Sequence, residues 1–333
     1  MATEPPRFRP KAYPPPEFPP RRLPVFSRMP PAVFPSILGL LGLGLALRRG
    51  LAALGGPAEI ADLVLGLVTG LWAFAAVGYA VKLARRPGVL VEDLRVLPGR
   101  AGLATATMGL MAIAAVLATM APEAARVVLV AGLVLHAVVA LTILRVLLSG
   151  PPEARQVTPV WHLSFVGFIV GGLSAPALGW PLLAEMLVIG TGAVAVVVWL
   201  LSARQFAGHV PPAPLRPLLA IHVAPAGLLA QASLGLGWTG LALGMAALAT
   251  VLALVLAASA RWLTEAGFSA LWGAFTFPMT ALAAALIAIG GPVLWLGLAV
   301  LAAALVTVPW IGYRVIKAWA GGGLAQKTNA ATA

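Results

Sequence analysis

Apolar residues run almost without interruption from residue 29 to residue 316, and short polar stretches divide this run into about ten lengths. Each length is close to the ~20 residues that an α-helix needs to cross a hydrocarbon core of about 30 Å. We therefore predict ten transmembrane helices, near residues 29–47, 63–81, 101–120, 127–148, 159–180, 181–201, 217–237, 238–260, 267–289 and 292–313.

The predicted helices alternate in content. Proline and small polar residues concentrate in the odd-numbered helices, whereas helices two, four, six and eight are mostly Ala, Leu and Val without an internal proline. The residues concerned are Pro35, Ser36, Thr105, Thr107, His162, Ser164, Ser174, Pro176, His222, Pro225, Gln231, Ser233, Thr276, Pro278 and Thr280. A proline inside a helix frees a backbone carbonyl and kinks the helix. At membrane depth such freed groups persist where protein buries them or where they line a water-filled cavity.

This alternation predicts an all-α membrane protein of five helical hairpins, with five kinked inner helices around a central pore and five outer helices facing lipid. All residues named above are pore-lining candidates except Pro176, Gln231 and Ser233. Pro309, in the tenth helix, departs from the pattern. The competing interpretation is that the prolines and glycines serve only helix packing, since both are common in membrane helices.

Composition supports the membrane assignment. Hydrophobic residues make up 61% and charged residues 10% of the 333 residues, against roughly 45–50% and about 25% in soluble domains. The absence of cysteine excludes disulfides, thiolate metal sites and cysteine nucleophiles. Paired carboxylates, a Ser-His-Asp set and a phosphate-binding glycine loop are missing and the loops are short, so we expect no enzymatic activity, no cofactor, no metal and no nucleic-acid partner.

The two ends of the chain differ from the apolar run. The first 31 residues hold eleven prolines and several arginines, a composition that cannot bury a core and predicts a disordered arm over residues 1–28. The apolar run begins too late and is too long for a cleaved signal peptide. The predicted transmembrane domain covers residues 29–318, and a flexible tail covers residues 319–333.

Basic residues favour one side of the predicted bundle. Nineteen of the 22 Lys and Arg residues fall on the side of the two termini, and only Arg48, Arg49 and Arg126 fall on the other side. Because Lys and Arg are enriched in cytoplasmic loops, both termini are predicted to be cytoplasmic in the cell inner (plasma) membrane. A basic vestibule raises the local anion concentration. The alternative is that these charges serve only insertion and contact with lipid headgroups.

The candidate path carries no formal charge at its midpoint in this interpretation. Ion-coupled transporters usually place ionisable residues inside the membrane. A path lined by hydroxyls and backbone would bind anions weakly and release them easily, which favours a channel or a uniporter.

The stretch from Trp272 to Thr280, WGAFTFPMT, resembles the ninth-helix motif of the tellurite-resistance/dicarboxylate transporter family, whose members include bacterial TehA and the plant slow anion channels. Further stretches that agree with the family are Phe34 to Leu40, Val157 to Trp161, and Leu215 to Pro217 with Ala224 and Pro225. The similarity extends over essentially all ten predicted helices. It departs at Ala104 to Met108, where the family often has a more polar stretch with Phe and Pro, and at His162.

The resemblance implies a homotrimer in which each protomer has its own pore, closed by an aromatic side chain of the ninth helix. Phe277, directly before Pro278, matches that gate, and Phe275 is the fallback. Two residues along a helix differ by about 200°, so both rings cannot point into one pore. The implied function is passive passage of small monovalent anions, sulfite or dicarboxylates. The alternative is a proton-coupled secondary transporter that uses His162 and His222, because histidine titrates near neutral pH.

Overall fold

A computed structural model describes residues 24–151 and 155–333. Residues 1–23 of the predicted disordered arm lie outside these ranges. The described residues are helical, without a β-strand. Nine of their helices are long and apolar enough to cross a membrane, and a shorter apolar helix occupies the fifth place. In chain order, segments 1 to 10 are Pro31–Leu54, Ala58–Arg85, Leu97–Leu117, Pro122–Ser149, His162–Leu173, Pro181–Gly208, Ala213–Gly235, Thr239–Ala258, Ala270–Ile289 and Gly291–Ala320.

Three short helices complete the described chain: Val89–Arg95 between segments 2 and 3, Ala260–Leu263 after segment 8, and Gly323–Lys327 after segment 10. The chain is therefore a multi-pass membrane protein, while the count of ten crossings and the division into five hairpins stay predictions.

Segment 5 differs most from the predicted helix. The sequence predicts a helix near residues 159–180, but the structure has a π-helical turn, His162–Val166, followed by a 3-10 helix, Gly167–Leu173. Pro176 lies in the turn that follows. The glycine-rich sequence explains the irregularity, because glycine weakens an α-helix by about 1 kcal/mol relative to alanine.

The prolines of the odd segments also differ from the expected mid-helix kinks. Pro35 is the second residue of the α-helix Phe34–Leu54, and Pro225 is the third residue of Val223–Gly235. In both segments a 3-10 helix precedes the α-helix, so the proline stands where no α-helical hydrogen bond is lost. Pro278 does lie inside its helix, Gly273–Ile289. Among the α-helices of segments 1, 7 and 9, that of segment 9 has a proline in its interior, as does the α-helix of segment 10 at Pro309.

Segment 1 is longer than predicted. Its expected end is near residue 47, but the α-helix continues to Leu54 and ends at Gly55, whose φ of 69° is left-handed. The Gly55 amide donates to the carbonyls of Leu51 and Ala52 and so satisfies the end of the helix. As a result Arg48 and Arg49 belong to the helix rather than to the following loop.

Odd and even segments differ in burial, as the alternation in sequence suggested. In the most apolar 18-residue stretch of each segment, 50% of residues are buried in segment 1 and 72–78% in segments 3, 7 and 9. The corresponding share is only 17–33% in segments 2, 4, 6, 8 and 10. The odd segments therefore form the interior of the bundle, and the even segments expose apolar surface of the kind that suits lipid or a neighbouring protomer.

The odd segments contact one another in a closed order, 1 with 3, 3 with 5, 5 with 7, 7 with 9, and 9 with 1. Segments 1 and 9 approach most closely. A Cβ added at Gly39 would collide with the Thr276 side chain, and one at Gly42 would collide with the Thr280 hydroxyl. Glycine at these two positions allows the helices to touch.

A buried ion pair ties the segment 2–3 connection to both ends of the described chain. Lys82 Nζ lies 2.7 Å from Asp93 Oδ2, and both side chains are fully buried. Lys82 also donates to the Met29 carbonyl at 3.0 Å, and Tyr79 donates to Asp93 at 3.0 Å. The Ala331 amide donates to Asp93 Oδ1 at 2.7 Å, so the tail is held against the bundle.

Candidate functional site

The odd segments enclose a small cavity at the end of the bundle where segment 1 starts. Its volume is about 20 Å³, and every odd segment contributes to its wall. The lining residues are Ala32, Pro35, Pro98, Ala101, Leu163, Leu218, Ile221, Ala270, Leu271 and Ala274. This wall is apolar, and the cavity has about the minimum volume that holds a single water molecule.

A second cavity of about 10 Å³ lies between segments 3, 5 and 7. Met108, His162, Gly167, Pro225 and Leu228 are among its lining residues. Of the predicted pore-lining residues, Pro35 borders the first cavity, and His162 and Pro225 border the second.

Phe277 lies in the interior of the bundle, where segments 1 and 9 touch. Its side chain is 6% exposed. A Cβ added at Gly42 would come within 3.0 Å of the ring carbon Cδ2 and 3.2 Å of Cε2. Gly42 is seven residues beyond Pro35, or about 10 Å along the helix axis. The ring therefore lies deeper in the bundle than the cavity, since Phe277 is three residues, or about 4.5 Å, beyond the lining residue Ala274.

Phe275 and Pro278 face the opposite side of segment 9. Both line an apolar groove of about 340 Å³ between segments 7, 8, 9 and 10. The Phe275 ring lies 5.6 Å from the Trp272 ring. The structure thus places the two candidate rings on different sides of segment 9, as the 200° rotation between their positions requires.

Most predicted pore hydroxyls donate to carbonyls of their own helical segment. Thr105 donates to Ala101 at 2.8 Å, Ser164 to Val160 at 3.2 Å, Ser174 to Gly171 at 3.5 Å, Thr276 to Gly273 at 2.7 Å and Thr280 to Phe277 at 2.9 Å. Thr276 is also within 3.3 Å of the Pro35 carbonyl across the segment 1–9 contact. Local bonds of this kind leave the hydroxyl oxygen as an acceptor but commit its proton.

Two of the hydroxyls have other surroundings. Thr107 Oγ1 also lies 2.9 Å from a carbonyl of its own segment, that of Ala104, but in addition it is 2.7 Å from His136 Nδ1, so it faces segment 4. Ser36 Oγ is buried and has no hydrogen-bond partner among the described residues. It faces Gly273, where an added Cβ would approach it to 3.2 Å.

His162 and His222 are brought together. His162 Nε2 lies 3.0 Å from His222 Nδ1, so one ring donates to the other between segments 5 and 7. His162 borders the central cavity, whereas His222 borders a groove of about 660 Å³ that faces segments 6 and 8. The His222 carbonyl accepts from Trp199 Nε1 at 3.2 Å. This pair joins the interior of the bundle to its outer surface.

Arg49 is the residue that the sequence-based prediction missed. The expected path carried no formal charge, because Arg49 was assigned to the loop after segment 1. In the structure Arg49 Nη1 donates to Gln231 Oε1 at 2.6 Å and to the Ala284 carbonyl at 3.2 Å. Gln231 in turn donates to the Ala281 carbonyl at 3.0 Å. The apolar stretch from Leu51 to Leu54 is the feature of the sequence that indicates a helix continuing past residue 47, and such a helix includes Arg49.

The preceding residue, Arg48, is paired differently. Its guanidinium lies 2.7 Å from Asp62 of segment 2, and both side chains are partly exposed. Arg48 and Arg49 therefore point to different sides of segment 1, one toward an acidic partner and the other toward segments 7 and 9.

The odd segments thus enclose two small, mostly apolar cavities, a buried phenyl ring where segments 1 and 9 touch, a histidine beside the second cavity, and a guanidinium bonded to segments 7 and 9. Within the described ranges, no three His, Cys, Asp or Glu side chains come together as metal ligands would.

The comparison with protein families places this chain beside a family of membrane channels. The model of the SLAC1 family, described as voltage-dependent anion channel, covers residues 28–316. This range contains all ten segments except the last four residues of segment 10. The comparison with curated proteins found no match.

Proposed function

Because the chain belongs to the voltage-dependent anion channel family, we propose that it passes small anions along a path enclosed by its odd segments, with Phe277 as the gate. The family includes TehA, so this match confirms the resemblance found in the sequence. The family supports anion channel or transporter activity in general. The identity of the gate and of the anions is our inference.

The position of the Phe277 ring is the observation that carries this proposal. The ring lies between the cavity at Pro35 and the guanidinium of Arg49, packed against Gly42. A hydrophobic constriction of this kind closes a path by excluding water. Because Gly42 has no side chain, the ring occupies the space that a larger residue would fill.

The direction of the proposed path follows from charge. The cavity at Pro35 opens at the end of the bundle that carries both termini, and 19 of the 22 basic residues belong to that side in the predicted topology. A positive surface raises the local concentration of anions at this opening. We place this side in the cytoplasm and the protein in the cell inner membrane.

We further propose five hairpins, each with one inner and one outer segment, and a homotrimer of protomers with separate paths. The exposed apolar faces of the even segments support this arrangement. Val127, Leu182, Leu254 and Val306 are each more than 60% exposed, and lipid or another protomer would cover them. Small monovalent anions, sulfite and dicarboxylates such as malate are the proposed substrates.

Ion-replacement recording on the purified protein in planar bilayers tests the proposal. Currents should reverse at the anion equilibrium potential and should rise at least about tenfold in Phe277→Ala, which corresponds to a barrier lower by about 1.4 kcal/mol. Phe275→Ala is the matched control, since its ring faces the outer groove, and it should leave the current unchanged. Cation-selective currents, or an equal response to both variants, would contradict the proposal.

A proton-coupled transporter is the second candidate, and the 3.0 Å contact between His162 and His222 is the observation that favours it. Proton coupling predicts transport in proteoliposomes that disappears when the pH gradient is collapsed and that is lost in His162→Gln. The passive pathway predicts anion flux without a pH gradient and a flux in His162→Gln within about twofold of wild type. The two mechanisms therefore separate in a single flux assay.

A further inference from the structure

Arg49 lies on the same face of segment 1 as the contact with the proposed gate. Gly39, Gly42, Ala46 and Arg49 follow one another at intervals of three and four residues, so they form one stripe on the helix. Gly39 and Gly42 contact segment 9 at Thr276, Phe277 and Thr280. Arg49 is seven residues beyond Gly42 and therefore about 10 Å farther along the axis.

The hydrogen bond from Arg49 to Gln231 joins two segments that are not neighbours in the inner ring. Arg49 belongs to segment 1 and Gln231 to segment 7, while segment 9 lies between them in the contact order. Gln231 also continues the face of segment 7 whose residues Ala224 and Leu228 line the central cavity. The Arg49 side chain therefore extends from segment 1 past segment 9, where it donates to the Ala284 carbonyl, to Gln231 of segment 7.

The charge of Arg49 has no carboxylate to balance it in the part of the chain that the structure describes. No salt bridge joins Arg49 to those residues, whereas the adjacent Arg48 is paired with Asp62. Its two protein partners are neutral oxygens, and both are bound by Nη1. Nε and Nη2 have no acceptor among the described residues. A half-buried guanidinium with free donors favours an anion over any other occupant.

We propose that Arg49 forms an anion-binding site on the far side of Phe277, and that Gln231 acts as the positioning residue. The inference rests on the proposed function and deepens it. Nε and Nη2 would coordinate a small monovalent anion or one carboxylate of a dicarboxylate, while the bond from Nη1 to Gln231 holds the guanidinium in place. A single fixed cation makes anion entry favourable and cation entry unfavourable, and the neutral wall around it lets the anion leave.

Reversal potentials and conductance at graded chloride concentrations, recorded in the Phe277→Ala background, test the site. Arg49→Gln is expected to lower the chloride-over-sodium permeability ratio about tenfold, equal to a loss of about 1.4 kcal/mol of discrimination. It should also raise the chloride concentration of half-maximal conductance. Arg48→Gln, one residue away and already paired with Asp62, is the matched control and should change the ratio less than twofold.

Two further variants keep the test informative if Arg49→Gln does not fold. Gln231→Glu places a carboxylate beside the guanidinium and should lower the permeability ratio as Arg49→Gln does, although Arg49 is still present. Arg49→Lys retains the charge and should retain anion selectivity. Size-exclusion elution and the thermal unfolding midpoint of each variant establish that it is folded.

Failure of the site and failure of the proposed function give different results. If Phe277→Ala conducts anions while Arg49→Gln, Gln231→Glu and Arg48→Gln all behave alike, the Arg49 site is wrong and the anion pathway stands. If Phe277→Ala conducts no anions, the pathway is wrong, and thermal stabilisation by nitrate then tests the site alone. Stabilisation of the wild type that is absent in Arg49→Gln supports the site, and equal stabilisation of both overturns it.

Discussion

Segments 1 and 2 follow each other in the chain and are both apolar, but two glycines of segment 1, Gly39 and Gly42, have surroundings opposite to those of Gly66 and Gly70 in segment 2. An added Cβ at Gly39 or Gly42 of segment 1 would collide with side chains of segment 9. An added Cβ at Gly66 or Gly70 of segment 2 would meet nothing within 4 Å. Glycine at these positions of the inner segment permits close helix contact, whereas Gly66 and Gly70 of the outer segment lie on an open face. Similar hydropathy therefore conceals two different structural roles.

Of the variants that test this difference between segments 1 and 2, Gly39→Leu should cause the largest loss of stability. The new side chain would overlap Thr276 and approach the backbone of Phe277. Overpacking costs typically 1–3 kcal/mol and more where backbone must move, so Gly39→Leu should cost upward of about 3 kcal/mol. We expect little monodisperse protein by size-exclusion chromatography in detergent.

Gly66→Leu is the matched control for this variant, because it adds the same side chain at an open position. Its free energy of unfolding should stay within about 0.5 kcal/mol of the wild-type value, so its thermal midpoint should stay close to that of the wild type. Equal losses in both variants would show that segment 2 is packed as closely as segment 1.

Breaking the Lys82–Asp93 pair should cause the next largest loss of stability. This pair anchors an outer segment, segment 2, to the short helix that follows it. Asp93→Asn leaves the fully buried Lys82 without its charged partner, and the loss of one member of a buried pair costs about 3–5 kcal/mol. The thermal midpoint should fall accordingly, and protease digestion should release the C-terminal tail, which Asp93 holds through Ala331.

Glu92→Gln, in the same short helix, is the control for Asp93→Asn. Glu92 pairs with Arg86 at 2.6 Å, but both side chains are more than 40% exposed. Glu92→Gln should therefore lower the free energy of unfolding by less than about 1 kcal/mol, as the loss of other surface ion pairs does. If the two variants have the same midpoint, the anchoring role of Lys82 and Asp93 is wrong.

Ser36→Ala should give the smallest effect and reports whether the contact between segments 1 and 9 is dry. The buried Ser36 hydroxyl has no partner among the described residues. Its removal from a dry contact should raise the free energy of unfolding by about 1 kcal/mol, because an unpaired buried group costs about 1–3 kcal/mol. Thermal unfolding in detergent measures the change.

Ser164→Ala should change the free energy of unfolding in the opposite direction. Ser164 donates to the Val160 carbonyl at 3.2 Å, so its loss should lower the free energy of unfolding by about 0.5–1.5 kcal/mol. A decrease of the same size in Ser36→Ala would instead indicate that water reaches Ser36 and that the hydroxyl faces an aqueous path.

Several parts of the candidate site could be predicted from residue patterns. The alternation of polar and apolar segments anticipated which segments are buried, and the WGAFTFPMT stretch identified the family that the comparison found. The 200° rotation between Phe275 and Phe277 implied that the two rings lie on different sides of segment 9, where the structure has them. These features follow from composition and helical periodicity, which are local properties of the chain.

Other parts depended on packing that no local pattern contains. Pro35 and Pro225 were expected to kink helices, yet each stands where a 3-10 helix becomes an α-helix. Thr107 was expected at the centre, yet it contacts His136 of segment 4. A hydroxyl is equally compatible with a pore wall and with a helix contact, so its neighbours decide which it is.

Amino-acid order alone determined that this chain lives in a membrane, which segments lie inside the bundle, and where the aromatic gate candidate stands, because the length, apolarity and period of a helix are written in consecutive residues. Only the tertiary structure decided that Arg49 reaches Gln231, that His162 meets His222, and that the Phe277 ring rests on Gly42. These contacts join residues between 60 and 235 positions apart. They depend on which helices become neighbours, and that choice is made by close packing over the whole bundle.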